Sequence, residues 1–413
     1  MKKIFILSIG YPYGTSEPFL QDEVEYHKNV TIFSSYIGTD EVNPERWKTT
    51  KNFLIHPDTS FFKGNRLVLG LSALRTVFTS YFWREVISKD IRPLNIKKIV
   101  QLMSCISKAN QIVSYFKKKN LCNQLGLDGI EPVFYAYWMN QLALAAVILA
   151  KKYNGIAVSR CHGYDLYKRA ENNQYVTLQS YLTKELDYIY PISQNGKDTL
   201  CKLDVCSEEK IHVSRLGTKD FGLNPSTKDS KYFSIVSCSN VVPLKRVNMI
   251  LEAIMLTKNI NIKWVHFGTG PLLETLRKQV ESMYGSEHDI QLKGYTNKTE
   301  IMKYYGKNHV DLFINVSESE GIPVSIMEAL SFGIPCIGTD VGGMHEIINS
   351  NNGWLVNKNI TPKELADLIC TVTNLDYGKS QMYRKNAREL WEGLYSADRN
   401  YTKFIEELTG YEL

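Results

Sequence analysis

Glu320 and Glu328 stand with seven residues between them in a stretch that changes character along its length, Asp311-Leu-Phe-Ile-Asn-Val-Ser-Glu-Ser-Glu-Gly-Ile-Pro-Val-Ser-Ile-Met-Glu-Ala-Leu330. An apolar, strand-like run enters a polar loop, and Gly321, Ile322 and Pro323 lead into a helix expected to start around Val324. The amides of a first helical turn have no partner inside the helix and lie at the positive end of its dipole. They form an anion site without any cationic side chain. A carboxylate beside them accepts hydrogen bonds from a diol. On composition alone the pair also reads as a helix cap followed by a solvated acid. The next segment, Gly333-Ile-Pro-Cys-Ile-Gly-Thr-Asp-Val-Gly-Gly-Met-His-Glu346, adds a strand and a second glycine-shaped loop. Two such loops in succession build a pocket.

Other residues have the types such a pocket needs. Lys245 and Arg246 close the run Asn240-Val-Val-Pro-Leu-Lys-Arg246 after an expected strand, where cations neutralise a diphosphate and steady charge on a leaving group, unless they are simply solvated. Gly268 and Gly270 form a glycine turn in His266-Phe-Gly-Thr-Gly-Pro271. His162 follows a strand in Cys161-His-Gly-Tyr-Asp165, where Asp165 shapes the loop and Arg160 has no evident role. Glu17 and Glu23 read equally as contacts to hydroxyls or as solvated acids.

The elements that must position these residues alternate. Strands are expected at Ile4–Ile9, Val30–Phe33, Val133–Trp138, Ile156–Ser159, Asp187–Ser193 and Lys210–Val213, and again at Phe233–Ser237, Lys263–Phe267, Ile290–Leu292, Leu312–Val316 and Cys336–Thr339, with helices between. This is α/β, two doubly wound sheets whose ligands gather at the carboxyl ends of the strands. The chain of 413 residues is too long for one core, and the turn-rich stretch from Thr218 to Lys231 marks the junction. The expected organisation is a first domain over 1–218, a linker over 219–230, a second domain over 231–390, and C-terminal helices over 391–413, with Trp391 and Tyr401 as anchors.

Composition excludes several classes. Eight cysteines without a Cys-x-x-Cys pair read as reduced thiols in a cytosolic protein. The short apolar N-terminus reads as a first strand rather than a leader, and no run is long enough to cross a membrane. The net charge is +6, and residues 61–100 carry eight Lys or Arg against two acids. Leu67, Leu71, Leu74, Phe78 and Phe82 recur there at helical spacing, beside Phe62, Tyr81 and Trp83. One reading is a core-facing helix and the other an anionic membrane surface, where apolar groups enter lipid and cations meet phosphates. Nothing in the region has the pattern of a nucleic-acid reader.

With these residues in place, the chain resembles the retaining GT-B glycosyltransferases known as family 4, firmly over 233–348 and loosely over 35–130. The shared pattern is a Glu, seven residues, a second Glu, then Gly-x-Pro (Gly333-Ile-Pro335) and a Gly-Gly loop (Gly342-Gly343). The resemblance implies two Rossmann-like domains facing a central cleft, with the C-terminal helix crossing back to the first. It implies that Glu320 contacts donor-sugar hydroxyls, that amides of Gly321, Ile322 and Pro323 hold sugar and diphosphate, and that Glu328 binds the ribose. Gly268 and Gly270 would lie beside the donor, and Leu292, Gly294 and Tyr295 would line the base pocket. Gly14 would approach the donor phosphate in the first loop, and His162 would lie near the reacting sugar. The chain departs from the family where Asn240 stands for an Arg and Arg246 for a Gly; Lys245 is kept.

The expected activity is retaining transfer of a hexose or N-acetylhexosamine from a UDP-sugar, in preference to a GDP-sugar, to a glycan or polyprenyl-diphosphate-linked saccharide in cell-surface polysaccharide synthesis. His162, Glu320, Lys245 and Arg246 are the expected catalytic residues. No cofactor and no divalent metal is expected, since no Asp-x-Asp motif occurs. The expected location is cytoplasmic, peripheral on the inner face of the membrane if residues 61–100 dock there. The alternatives are a sugar-nucleotide epimerase of the same architecture and a non-catalytic carbohydrate- or nucleotide-binding module.

Overall fold

The run Lys3–Ser8 (β1) is buried at every position but its first, the pattern of a strand covered on both faces. In the computed structural model, which describes residues 2–13, 17–27, 30–35, 46, 54–55, 73–121, 130–167, 175–203, 207–226, 231–282 and 287–410, β1 lies in parallel between two further strands. These are Val30–Ser34 (β2) and Pro132–Ala136 (β4), with Leu54–Ile55 (β3), Ile156–Cys161 (β5) and Tyr188–Pro191 (β6) completing the sheet. The second sheet consists of Phe233–Cys238 (β7), Ile262–Phe267 (β8), Asp289–Gly294 (β9), Leu312–Asn315 (β10), Cys336–Thr339 (β11) and Gly353–Val356 (β12).

Their orders are β3-β2-β1-β4-β5-β6 and β12-β11-β10-β7-β8-β9. Counted from its own first strand, each sheet has the order 3-2-1-4-5-6 of a dinucleotide-binding fold. The two sheets are therefore Rossmann-like, as expected. Each reverses direction at one place, between β1 and β4 and between β7 and β10. The loops leaving these neighbours diverge to opposite faces and open a crevice at the carboxyl ends.

The chain divides into two compact units, Met1–Arg215 with Tyr401–Leu413, and Leu216–Asn400. The last helix, Ala397–Thr409, begins in the second unit and from Tyr401 onward belongs to the first. Within the first unit Tyr401 and Phe404 are buried over Arg160 at the end of β5. The Arg160 guanidinium lies 4.2 Å from the Phe404 ring centre. It also meets Glu23 Oε2 at 3.3 Å, Tyr135 Oη at 3.0 Å and the Ser214 carbonyl at 3.1 Å. Burial alone would raise the Glu23 carboxyl, but Arg160 and His27 beside it bring it below its usual value. Arg160 and Glu23 are thus a paired charge under the C-terminal helix. Neither is a free contact for substrate, and removing one would leave the other buried and uncompensated.

Two expectations differ from the structure. Lys210–Val213 is not a strand: Ile211 makes one isolated bridge to Ile189 after a short 3-10 turn, Glu208–Lys210. The expected junction is hydrogen-bonded in its described part. Asn224 donates to the carbonyls of Tyr305 and Asn308 and accepts from Val310 N and Arg384, all within the second unit. Polar turn residues make a buried network as readily as a linker.

The amphipathic stretch 65–87, of which 65–72 lie outside the described residues, is broken. A 3-10 turn, Thr76–Phe78, and a helix, Ser80–Ile87, are separated by Thr79 in an extended conformation. Among the described residues of its expected core face only Phe82 is buried, while Leu74 and Phe78 face solvent. A helix unanticipated from the sequence, Ile96–Lys118, packs on the first sheet's core through Leu102, Ile106, Ala109, Ile112 and Phe116. Its start is capped by the Asn95 side chain, which accepts from Lys98 N at 2.9 Å. Among the described residues no helix is long and apolar enough to cross a membrane, and the described cysteines are free thiols.

Candidate active site

The crevice between β7 and β10 gathers the residues singled out in the second unit. β7 runs into a loop that ends at Lys245 and Arg246, and β10 into one that ends at Pro323, the N-cap of the helix Val324–Ser331. The loops are tied by Glu318 N donating to the Leu244 carbonyl at 2.9 Å. Asn315, the last residue of β10, accepts from Ser317 N at 3.1 Å and from its hydroxyl at 2.6 Å, which folds the strand end into the turn. Its amide donates to Glu320 Oε1 at 3.3 Å. The same carboxylate oxygen accepts from Lys245 Nζ at 2.5 Å. The Lys245 and Glu320 side chains are 22% and 10% exposed, so the pair is open to a ligand at the crevice mouth.

Glu328, on the helix that begins there, is buried and lies 3.5 Å from Lys298 Nζ, at the start of the helix Lys298–Lys307 after β9. Glu320 is therefore grouped with the loop after β7, and Glu328 with the helix after β9. Neither is the solvated acid that composition alone allowed.

The glycine loops are backing for this edge. Gly342 has φ +55°, and a side chain on it would place a carbon 1.9 Å from the Glu320 carbonyl oxygen. Gly343 N donates to the Gly321 carbonyl at 2.9 Å, so the Gly-Gly loop after β11 braces the backbone of Glu320 and Gly321. Gly268 lies against Ser239 in the same way, with 1.8 Å to its carbonyl, and donates to the Gly294 carbonyl at 2.9 Å. Gly270 is equally tight against Val241, the residue after Asn240. The loops after β7, β8 and β9 are thus in direct contact. Asn240 and Tyr295 are exposed on them, Leu292 is half-buried, and Ile322 is buried.

Arg246 is placed differently from the sequence expectation. Its Nε donates to the Val316 carbonyl at 2.6 Å and its Nη1 to the Lys358 carbonyl at 2.7 Å, while Nη2 is buried with no partner among the described residues. Burial holds its pKa below the usual value. Its backbone has φ +47°, the region glycine adopts at least cost. The structure thus gives a reason for glycine at this position, and the guanidinium is occupied as a clamp on the 316 and 358 loops.

In the first unit the residues flank the crevice between β1 and β4. His162 is buried at the N-terminus of the short helix Gly163–Leu166, its ring 4.3 Å from that of Trp138 and 5.0 Å from that of Tyr137. Neither ring nitrogen has a hydrogen-bond partner among the described residues. Asp165 shapes the loop, accepting from His162 N at 2.5 Å and from Met139 N at 2.7 Å. Gly14 lies outside the described residues.

The sequence reading left the role of Glu17 open. Its carboxylate accepts from Ile9 N at 2.9 Å, Gly10 N at 2.9 Å, Tyr11 N at 2.8 Å and Trp138 Nε1 at 2.9 Å. It spans the loops after β1 and β4 from a buried position with φ +50°. No motif announced this. The only signal was an acid eight residues beyond a glycine-bearing strand end.

Residues 219–390 match the family described as glycosyl transferases group 1. The chain is 28% identical over 284 residues to the putative colanic acid biosynthesis glycosyltransferase WcaL of Escherichia coli (strain K12), covering 65% of this chain and 68% of that one. It is 26% identical over 215 residues to the amylovoran biosynthesis glycosyltransferase AmsK of Erwinia amylovora, covering 50% and 52%. In fold it is similar to Anabaena Alr3699/HepE, solved in complex with UDP-glucose, with a TM-score of 0.66 at 15% identity over 99% of this chain and 100% of that one.

Proposed function

We propose a sugar-transfer reaction for this chain, which is a GT-B glycosyltransferase related to the bacterial exopolysaccharide enzymes WcaL and AmsK and belongs, over residues 219–390, to glycosyl transferases group 1. It moves a hexose or N-acetylhexosamine, with retention, from a nucleoside diphosphate sugar to a glycan or lipid-linked saccharide in polysaccharide synthesis. UDP is favoured over GDP, supported by the fold relative solved with UDP-glucose.

The observation that carries this reading is the Lys245–Glu320 pair at the β7–β10 switch point, beside a helix N-terminus. A bound diphosphate attracts the Lys245 ammonium and accepts from the amides around Gly321, Ile322 and Pro323. Glu320 then exchanges the lysine for sugar hydroxyls. Glu328 takes the ribose, and the loops at Gly268, Gly270, Leu292, Gly294, Tyr295 and Asn240 line the nucleotide. Arg246 acts by holding the loop that carries Lys245. The acceptor oxygen bonds to the anomeric carbon on the face from which the diphosphate departs. The electron pair of the breaking C–O bond leaves on the diphosphate, which takes the acceptor proton. Lys245 and the helix amides offset that charge. The buried His162 imidazole, with no hydrogen bond from either ring nitrogen among the described residues, serves a hydroxyl of the reacting sugar.

A screen of UDP- and GDP-sugars by thermal shift tests the donor. The true donor raises the melting temperature by mass action, and silence from every nucleotide sugar would remove the reading.

The described part of residues 61–100 supports peripheral docking on an anionic membrane. Phe78 is 87% and Ile96 81% exposed, with Leu74, Trp83 and Ile87 also exposed. Arg75, Arg84, Lys89, Arg92 and Lys97 are exposed among them. Lys98 is not part of this face, since its ammonium is buried against the carbonyls of Ile91 and Arg92. Liposome flotation with and without anionic lipid tests it, and no flotation in either case refutes it.

A further inference from the structure

A cavity of about 570 Å³ lies within the first unit, between the helix Ile96–Lys118 and the loops after β1 and β2. Its wall includes Ile9, Val100, Met103, Ile112, Lys108 and Gln141. Ile9 follows β1 and Gln141 opens the helix after β4, so the cavity borders the switch point of the first sheet. None of the donor chemistry above uses it. Its volume is that of a small-molecule site.

The wall chemistry narrows the occupant. Among the described residues no carboxylate and no aromatic ring lines the cavity, the two features that grip a sugar by its hydroxyls and its faces. Branched aliphatics and a methionine form the apolar part, and methionine adapts to irregular chains. Among the described wall residues the one charged group is the Lys108 ammonium. Val100 belongs both to the wall and to the exposed apolar surface, and Leu74 adjoins the wall residue Ala73. The cavity therefore reaches the exposed surface at Val100, one turn along the same helix from the exposed Ile96. A water-soluble ligand has no use for that continuity, and a lipid chain does.

We infer that this cavity holds the first part of the apolar chain of a lipid phosphate or diphosphate, with Lys108 at its phosphate and the rest of the chain leaving along the exposed apolar face. The identification of this lipid as the carrier of the acceptor sugar rests on the transfer reaction proposed above; the binding site itself does not.

Isothermal titration of the full chain with monomeric geranylgeranyl phosphate tests the site, with geranylgeraniol and inorganic phosphate as comparators. The lipid phosphate binds, and inorganic phosphate alone does not compete at equal concentration. Ser104→Trp fills the cavity and weakens the lipid phosphate at least about tenfold. Lys108→Glu weakens the lipid phosphate by a similar factor and leaves the alcohol unchanged. Lys108 is exposed, so this variant stays decisive if the tryptophan disturbs packing. Equal affinity in wild type and Lys108→Glu, or competition by inorganic phosphate as strong as by the lipid, overturns the inference. Thermal stabilisation by UDP is read in the same samples. UDP response without lipid binding removes the cavity assignment alone, and lipid binding without any nucleotide response removes the transfer reaction and leaves the cavity.

Discussion

The two switch-point crevices hold the same kind of group in opposite conditions. At β1–β4, the Glu17 carboxylate is buried and accepts three backbone amides and an indole N–H. At β7–β10, the Glu320 carboxylate stands at the crevice mouth with one lysine and one side-chain amide on a single oxygen. Glu17 has no acceptor capacity to give a ligand without unravelling two loops. Glu320 can exchange a flexible lysine for a substrate hydroxyl at small structural cost. The histidines invert this pattern. In the first unit neither His162 ring nitrogen is hydrogen-bonded among the described residues, Nδ1 lying 4.0 Å from Asp165 Oδ2, whereas in the second His266 Nδ1 is hydrogen-bonded to Ser237 Oγ at 2.8 Å, that hydroxyl also accepts from Trp264, and only Nε2 is left without a bond. Residue type and position at a strand end do not distinguish these groups from one another; the number of protein partners does.

The sharpest attempt to break this contrast is to remove each carboxylate. Glu320→Ala should lower turnover roughly 10²–10³-fold, the scale for losing one preorganised polar contact to the reacting centre, while the melting temperature stays near wild type. Glu17→Ala should do the reverse. It leaves three amides and an indole unpaired in a buried loop, costing about 3 kcal/mol or more in chemical denaturation. Specific activity of its folded fraction should remain closer to wild type than that of Glu320→Ala. Similar stability losses in the two variants would erase the distinction.

Acid should sharpen the contrast between the histidines. Burial pushes the His266 pKa down to about 4. Its folded value is below its unfolded value, so the unfolded chain binds the extra proton. The contribution is present above about pH 6.5 and is lost as pH falls towards 4. The full loss is roughly 3 kcal/mol for a shift of this size. Urea unfolding of wild type and His266→Gln at pH 7 and pH 4.5 isolates it, because the carboxylates common to both chains cancel. A difference between the two proteins that does not change with pH would refute the buried neutral imidazole.

The sequence made the second unit readable because its function and its fold use the same local signals. The apolar run ending at Asn315, the Gly321–Pro323 turn and the Gly342-Gly343 loop are each contiguous. Their spacing survives into the structure as strand, cap and brace. In the first unit the decisive relations are long-range. Glu17 reaches Trp138 and Arg160 reaches Phe404, so no window of sequence contains both partners. The helix Ile96–Lys118 was legible in principle, with Asn95 as its cap and apolar residues every three or four positions. The neighbouring basic residues overlay that period with a strong charge signal. The stretch around Phe78 failed for a different reason: its helical period is real, but Thr76 and Thr79 each turn their hydroxyl back to a carbonyl, at 2.6 Å in both cases, and end the turn early.

The finest cut concerns two adjacent cations in the second crevice, one of which the contrast treats as working and the other as structural. Lys245→Ala should weaken UDP binding at least about tenfold, since in the proposed reaction its flexible ammonium meets the diphosphate. Arg246→Gly removes two charge-assisted bonds to the Val316 and Lys358 carbonyls but also relieves a positive φ that costs a non-glycine residue about 1 kcal/mol. The terms partly cancel, leaving a net loss of about 1 kcal/mol in stability and a change in UDP affinity within about threefold. If Arg246→Gly instead matches Lys245→Ala in UDP affinity while its stability is unchanged, the guanidinium leaves its carbonyls for the diphosphate. Partner count in the unliganded crevice would then fail as the criterion at the position where it makes its narrowest distinction.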